Sequence, residues 1–164
     1  MKVGVRSILW AMSLCVVVAC WGSNDVDASR NMVLPIDPAG VDLLIESESC
    51  PVIISIITSR CGACRQELPI YQRMYEQYGG DGFSIFVVSV DFGTPNEAQR
   101  LVDSMGLTYP VYWGGEEVMR AYNISLVPYK IVVLNGSVAE RLIGAWSEAE
   151  IEKKINDLME GCSQ

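Results

Sequence analysis

Val52-Ile53-Ile54-Ser55-Ile56-Ile57-Thr58-Ser59-Arg60-Cys61-Gly62-Ala63-Cys64 passes from an almost unbroken β-branched run to two cysteines three positions apart. A run apolar at nearly every position suits a strand covered on both faces, because a strand with one wet face would alternate. Beyond it, Leu68, Tyr71, Met74, Tyr75 and Tyr78 recur at helical spacing. Cys61 to Tyr78 is therefore predicted to be a helix, kinked at Pro69 and ended by Gly79-Gly80. The cysteine pair falls where a buried strand turns into a helix. There, free backbone N–H groups and the macrodipole favour a thiolate on Cys61, and Arg60 and Arg65 add positive charge. Cys64, one turn on, can attack a mixed disulfide formed at Cys61 and release the product. Gly62 and Ala63 are small and leave the first sulfur accessible. A zinc half-site would need two more ligands, and the chain has no histidine and no second Cys-x-x-Cys. A bridge this short would constrain the unfolded chain little, which argues against a purely structural one. A redox-active pair working without metal or cofactor is the expectation.

Outward from this segment, Phe83 to Val90 is a second apolar run and predicts a second buried strand. Thr94-Pro95-Asn96-Glu97 has the form of a capping box with proline at N1, opening a helix that Gly106 closes. Tyr109 to Trp113 suits a short extended piece and Glu116 to Tyr122 a short helix. Tyr129 to Leu134 and Val138 to Ile143 flank Asn135-Gly136, a strong hairpin signal. Ser147-Glu148-Ala149-Glu150 is a second capping box, opening a helix with Ile151, Ile155, Leu158 and Met159 on one side. Upstream, Asp37 can cap a short helix with Pro38 in its first position, and Leu43, Leu44 and Ile45 are expected on its core side. Strands separated by helices imply parallel pairing, and the hairpin adds antiparallel strands at one side. The expected α/β fold is a central mixed sheet of four to five strands flanked by helices, with a C-terminal hairpin and helix. That is the order of the thioredoxin fold.

Thr58-Ser59-Arg60-Cys61-Gly62-Ala63-Cys64-Arg65-Gln66-Glu67-Leu68-Pro69 resembles the active-site segment of TlpA/ResA-like thioredoxins, which handle disulfides outside the cytoplasm. The likeness runs from about Val52 to Met159. It implies that Ala121-Tyr122-Asn123-Ile124-Ser125-Leu126-Val127-Pro128 leads into a cis-proline loop. Pro128 would then face the dithiol, and the Val127 backbone would pair with bound substrate as an added strand. It also implies that Glu67 tunes the thiols or relays a proton to Cys64, while the tuning expected of Arg60 rests on its charge beside the cysteine alone. Two positions depart from the family pattern: Arg60 stands where tryptophan is usual, and Tyr129 and Lys130 where small hydroxylated residues are usual. Both departures predict an unfamiliar substrate-facing rim. Thr58-x-x-Cys61 also fits a peroxiredoxin-like thiol peroxidase, although Ile54 stands where that family carries proline. A non-catalytic binding module on the same scaffold is the remaining alternative.

The chain begins with Lys2 and Arg6 before an uncharged, mostly apolar run from Ser7 to Trp21, then a polar stretch to Asn31. That order predicts an export signal, a run too short to span a bilayer comfortably. Val17-Val18-Ala19-Cys20 resembles a lipobox. It divides the chain into a signal at 1–19, a tether at 20–35 beginning with lipidated Cys20, and a domain at 36–164. The expected location is the periplasmic or other extracytoplasmic face of a bacterial membrane, with outer and inner membrane both open. Twelve basic and twenty acidic residues give −8, and the leader holds two of the bases and no acid, so the remainder carries −10. Such a surface repels nucleic acid and anionic lipid headgroups. The expected partners are protein thiols and disulfides plus a membrane electron donor or acceptor, met as a monomer. Cys15 leaves with the signal. Cys50 precedes the central strand and Cys162 follows the last helix, whose tail should approach Cys50 in a thioredoxin fold; a structural disulfide in an oxidising compartment and two free thiols are both open for this pair.

Overall fold

The computed structural model describes residues 31–47 and 50–162. The leader, Cys20 and the tether as far as residue 30 lie outside the described residues. In chain order the elements are β1 (Leu34–Pro35), α1 (Pro38–Ile45), β2 (Val52–Ile57) and α2 (Gly62–Tyr78), followed by a 3₁₀ turn at Gly79–Asp81. Then come β3 (Ser84–Ser89), α3 (Asn96–Met105), β4 (Val111–Trp113), α4 (Gly115–Ala121), β5 (Tyr129–Leu134), β6 (Ser137–Ile143) and α5 (Glu148–Cys162). The sheet order is β1-β4-β3-β2-β5-β6. The first four strands are mutually parallel, and β5 and β6 are antiparallel additions beside β2.

All six residues of β2 are buried, the consequence of an apolar run lying at the middle of a sheet covered on both sides. On one face Ile53, Ile57, Ile85, Val87 and Val132 pack with Leu68, Tyr71 and Met74 of α2 and Ile151, Ile155 and Leu158 of α5. On the other, Val52, Ile54, Ile56, Val88, Ile131 and Val133 meet Val41 of α1 and Val118 of α4. The hairpin turns at Asn135 and Gly136, both at positive φ (50° and 71°), as a tight two-residue connection requires. Ser147 and Glu150 form the expected capping box: the Glu150 carboxylate accepts from the Ser147 N–H and hydroxyl, both at 2.7 Å.

Three expectations are corrected. The sheet has six strands rather than four to five, because Leu34 and Pro35, read as the end of the tether, pair with Tyr112 and Trp113. Val33 is buried, and the Asn31 side-chain amide donates to the carbonyls of Leu107 and Tyr109, so packing begins before residue 36. Two residues of backbone pairing leave no periodicity in a sequence. In α1 Val41 is buried and Leu44 and Ile45 are half-buried against the core as expected, whereas Leu43 is 68% exposed; three successive helical residues cannot share one face. The capping box at Thr94 does not form: Pro95 occupies the cap and Glu97 is drawn to Arg60 and Arg100 instead.

Cys50 and Cys162 are joined in a disulfide between the start of β2 and the end of α5, with Cα atoms 5.7 Å apart. The Cys50–Pro51 and Val127–Pro128 peptide bonds are cis.

Candidate active site

The parallel strands β2 and β3 deliver their C-terminal ends to one edge of the molecule, the usual place for chemistry in such sheets. Asp91, just past β3, binds the loop leaving β2. Its two carboxylate oxygens accept from the Ser59 N–H at 3.0 Å each, and they also take the hydroxyls of Ser59 and Ser89. That buried clamp fixes the backbone two residues before Cys61. Trp113 donates its indole N–H to the Asp91 carbonyl at 2.8 Å and holds the same corner from β4.

Cys61 caps α2, and its sulfur accepts from the Cys64 N–H at 3.1 Å. The two cysteines are joined as a disulfide, Cα to Cα 5.2 Å. Cys64 is fully buried and Cys61 only half so, and nothing lies within 4 Å of where a side chain on Gly62 would begin. One sulfur is reachable and the other is shielded behind it. Val127 and Pro128 come to the same place: the Val127 carbonyl stands 3.9 Å from the Cys61 sulfur.

Around the reachable sulfur, Phe92 (65% exposed) and Leu126 (62%) project into solvent. Arg60 also points outward, 83% exposed, with its guanidinium 3.3 Å from Glu97. The Arg60 partnership holds the Glu97 carboxyl below its ordinary value. A cleft of about 290 Å³ lies between Thr58, Arg60, Asp91, Phe92 and Glu97. Arg60 and Phe92 thus share one exposed cleft, and Leu126 is exposed next to Val127, on the side where the substrate-facing rim is expected.

Tyr129 and Lys130, expected at that rim, are not there. Both are buried in β5. Lys130 lies opposite Ser55 in the ladder, on the face covered by α2 and α5. Its ammonium is 2.6 Å from Glu67 Oε1, and the two side chains are 0% and 1% exposed. Lys130 also donates to the Gly144 carbonyl and lies 4.6 Å above the Trp146 ring. The Trp146 N–H donates to the same Glu67 oxygen at 2.5 Å. Burial pushes the Lys130 ammonium below its ordinary value, and Glu67 opposes that shift. Burial, then the Glu67 charge, push the Tyr71 hydroxyl well up. Glu67, one turn beyond Cys64, therefore belongs to a dry ionic cluster and not to a solvated helix face. Among the described residues Glu67 Oε2 has no hydrogen-bond partner.

Asp91 and Trp146 enter the site without having been singled out for it, and Lys130 enters it as the buried partner of Glu67 and not as a rim residue. For Lys130 the signal was present: a single charge inside Tyr129-Lys130-Ile131-Val132-Val133-Leu134, a run otherwise fit for full burial. Among the described residues no three His, Cys, Asp or Glu side chains stand together as a metal site, and no helix is long and apolar enough to cross a membrane.

The sequence pattern of the AhpC/TSA family matches residues 42–139. The chain is 30% identical over 117 residues to the thiol-disulfide oxidoreductase ResA of Oceanobacillus iheyensis, which covers 70% of this chain and 60% of that protein. It thus spans about three-fifths of the length of that relative. A solved structure of an uncharacterized thioredoxin-like protein from Porphyromonas gingivalis is 31% identical, covering 68% of this chain and 76% of that one, with a TM-score of 0.57. A thiol:disulfide interchange protein of the thioredoxin family from Chlorobium tepidum shares the fold at a TM-score of 0.62 and 21% identity, covering 68% and 81%.

Proposed function

The chain belongs to the AhpC/TSA family, and from that membership and the dithiol geometry we propose that it is a protein thiol–disulfide oxidoreductase. Cys61 and Cys64 would exchange electrons with protein disulfides or dithiols, the pair alone carrying them. The observation that carries this reading is a half-exposed sulfur at the start of α2, facing the Val127 carbonyl beside cis-Pro128, with its buried partner one turn behind.

In the reducing direction, the Cys61 thiolate attacks a substrate disulfide, forms an intermolecular S–S bond and expels one substrate thiolate. The Cys64 thiol gives its proton to a base and attacks the Cys61 sulfur. The second substrate thiolate leaves, and both substrate sulfurs gain protons. Two electrons have passed to the substrate and the protein is left as the disulfide; the oxidising direction is the reverse. The helix N-terminus stabilises the Cys61 thiolate. Val127 offers its backbone to an extended substrate segment. Glu67 is the base best placed for Cys64, and Phe92, Leu126 and Arg60 form a rim suited to a protein surface.

We place this activity outside the cytoplasm, tethered through a lipid on Cys20, with a membrane electron donor or acceptor as second partner. The support is the basic–apolar–polar leader ending in Val17-Val18-Ala19-Cys20. Turnover of insulin disulfides by the reduced protein tests the activity. Loss of turnover in Cys61→Ser is expected. Full turnover in that variant, or peroxide consumption in place of insulin reduction, would overturn the assignment in favour of other chemistry.

A further inference from the structure

A buried ion pair is a poor way to stabilise a fold, because desolvation of the two charges offsets most of their attraction. The pair Glu67–Lys130 nevertheless has both side chains out of solvent, and Glu67 follows the buried Cys64 by three residues on α2. Its hydrogen bonds are lopsided. Oε1 takes both the Lys130 ammonium and the Trp146 N–H, while Oε2 takes nothing among the described residues. The ammonium is itself fixed by the Gly144 carbonyl and the Trp146 ring. This is the disulfide form, in which Cys64 has no S–H to give. Reduction creates a buried S–H three residues before Glu67 on α2, a spacing that sets the two buried side chains on one helix face, and Oε2 keeps lone pairs with which to accept a proton.

We propose that Lys130 is a positioning residue of the exchange reaction: by occupying Oε1 and balancing its charge, it leaves Oε2 as the atom that takes the Cys64 proton. The inference rests on the proposed activity and deepens it. When a substrate is held on Cys61, the Cys64 proton passes to Oε2. The Cys64 sulfur attacks Cys61, the substrate thiolate leaves, and Glu67 returns the proton to solvent or to that thiolate. Without the ammonium, an ionised carboxylate would stand uncompensated in a site that excludes water, and it would take up a proton from solvent instead.

The groups facing the pair are Cys64 and Tyr71 on α2, Tyr109 beside the Leu68 carbonyl, and Glu150 at the start of α5. Burial drives both tyrosine hydroxyls far up, so they stay protonated through the working range. Glu150 is held down by Ser147 and stays ionised. Neither kind can supply a step in rate between pH 5 and 9, which leaves Cys64 with the Glu67–Lys130 pair.

The test is single-turnover release from the mixed disulfide with a disulfide-linked peptide, followed from pH 5 to 9 in wild type and in Lys130→Met. Release in the variant is expected to slow about tenfold at pH 7, its pH profile moving up by about one unit, the equivalent of that factor. Capture of the peptide by Cys61, read in a Cys64→Ser background, should change less than about twofold. Release in Lys130→Met with the wild-type profile would overturn the proposal. So would additive losses in Glu67→Gln/Lys130→Met, a neutral pair of similar shape in which both changes should act on one step. A wild type that captures no peptide refutes the activity itself, a separate outcome. Should Lys130→Met fail to fold, the carboxyl carbon resonance of Glu67 in wild type decides. It is expected to move between the disulfide and dithiol forms while that of Glu150 stays, and a stationary Glu67 signal contradicts the proposal.

Discussion

Replacing Cys50 and Cys162 together by serine removes a bridge whose ends are 112 residues apart in the chain. The chain-entropy relation for a loop of that length gives roughly 4.8 kcal/mol at 25 °C, which residual structure in the denatured chain usually trims to about 2–4 kcal/mol. At about 4 °C per kcal/mol for a domain near this size, the midpoint of thermal unfolding should fall by about 8–16 °C. The bridge ties the start of β2 to the end of α5, whereas the dithiol lies past the other end of β2. Exchange activity at 25 °C should therefore survive within about twofold. The same relation assigns only about 2 kcal/mol to the 61–64 bridge, whose ends are three residues apart. The assay is calorimetry of the chain from Trp21 onward with Cys61–Cys64 oxidised in both proteins. A midpoint that moves by less than about 2 °C, or two free thiols found in the wild type, would refute the reasoning.

Removing one partner of the buried pair, as in Glu67→Ala, should destabilise by about 3–5 kcal/mol in urea unfolding, while Glu67→Gln/Lys130→Met together should come within about 1 kcal/mol of wild type or exceed it. Asp91→Ala leaves the Ser59 N–H buried without an acceptor and should lower stability by about 1–3 kcal/mol and slow exchange, both read on one preparation. Arg60→Ala touches only an exposed pair, so stability should hold within about 0.5 kcal/mol while the rate with protein substrates changes. Ser147 holds the Glu150 carboxyl below its ordinary value of 4.5. A carboxyl lowered in the folded state stabilises above its unfolded range and loses that contribution as pH falls through the folded value. Glu150→Gln should therefore flatten the acid-side loss of amide protection at Ile151, measured by hydrogen exchange.

Most of the fold was legible because its signals are local and strong. The apolar run at Val52–Ile57 permits only a central strand, Asn135-Gly136 only a tight hairpin, and Ser147 with Glu150 a helix start. The dithiol was legible for the same reason, since Cys-x-x-Cys takes its meaning from the strand-to-helix junction around it. What escaped depends on partners distant in sequence. Leu34–Pro35 becomes a strand only because Tyr112 and Trp113 offer an edge. Thr94 loses its capping box because Arg60, 37 residues before Glu97, claims that carboxylate. Lys130 stands out as a lone charge in an apolar run, but its partner Glu67, 63 residues earlier, is set beside it only by the sheet–helix interface. Pairings of that kind are made by the fold and leave no spacing to read.

The central claim is that one sulfur is reachable and the other is its shielded successor. Reduced Cys64→Ser protein, mixed with a disulfide-linked peptide at neutral pH and analysed by mass spectrometry after digestion, tests it directly. A single stable adduct on Cys61 is the predicted result. No adduct, or one formed equally well when Cys61 is the serine and Cys64 the thiol, would contradict the account.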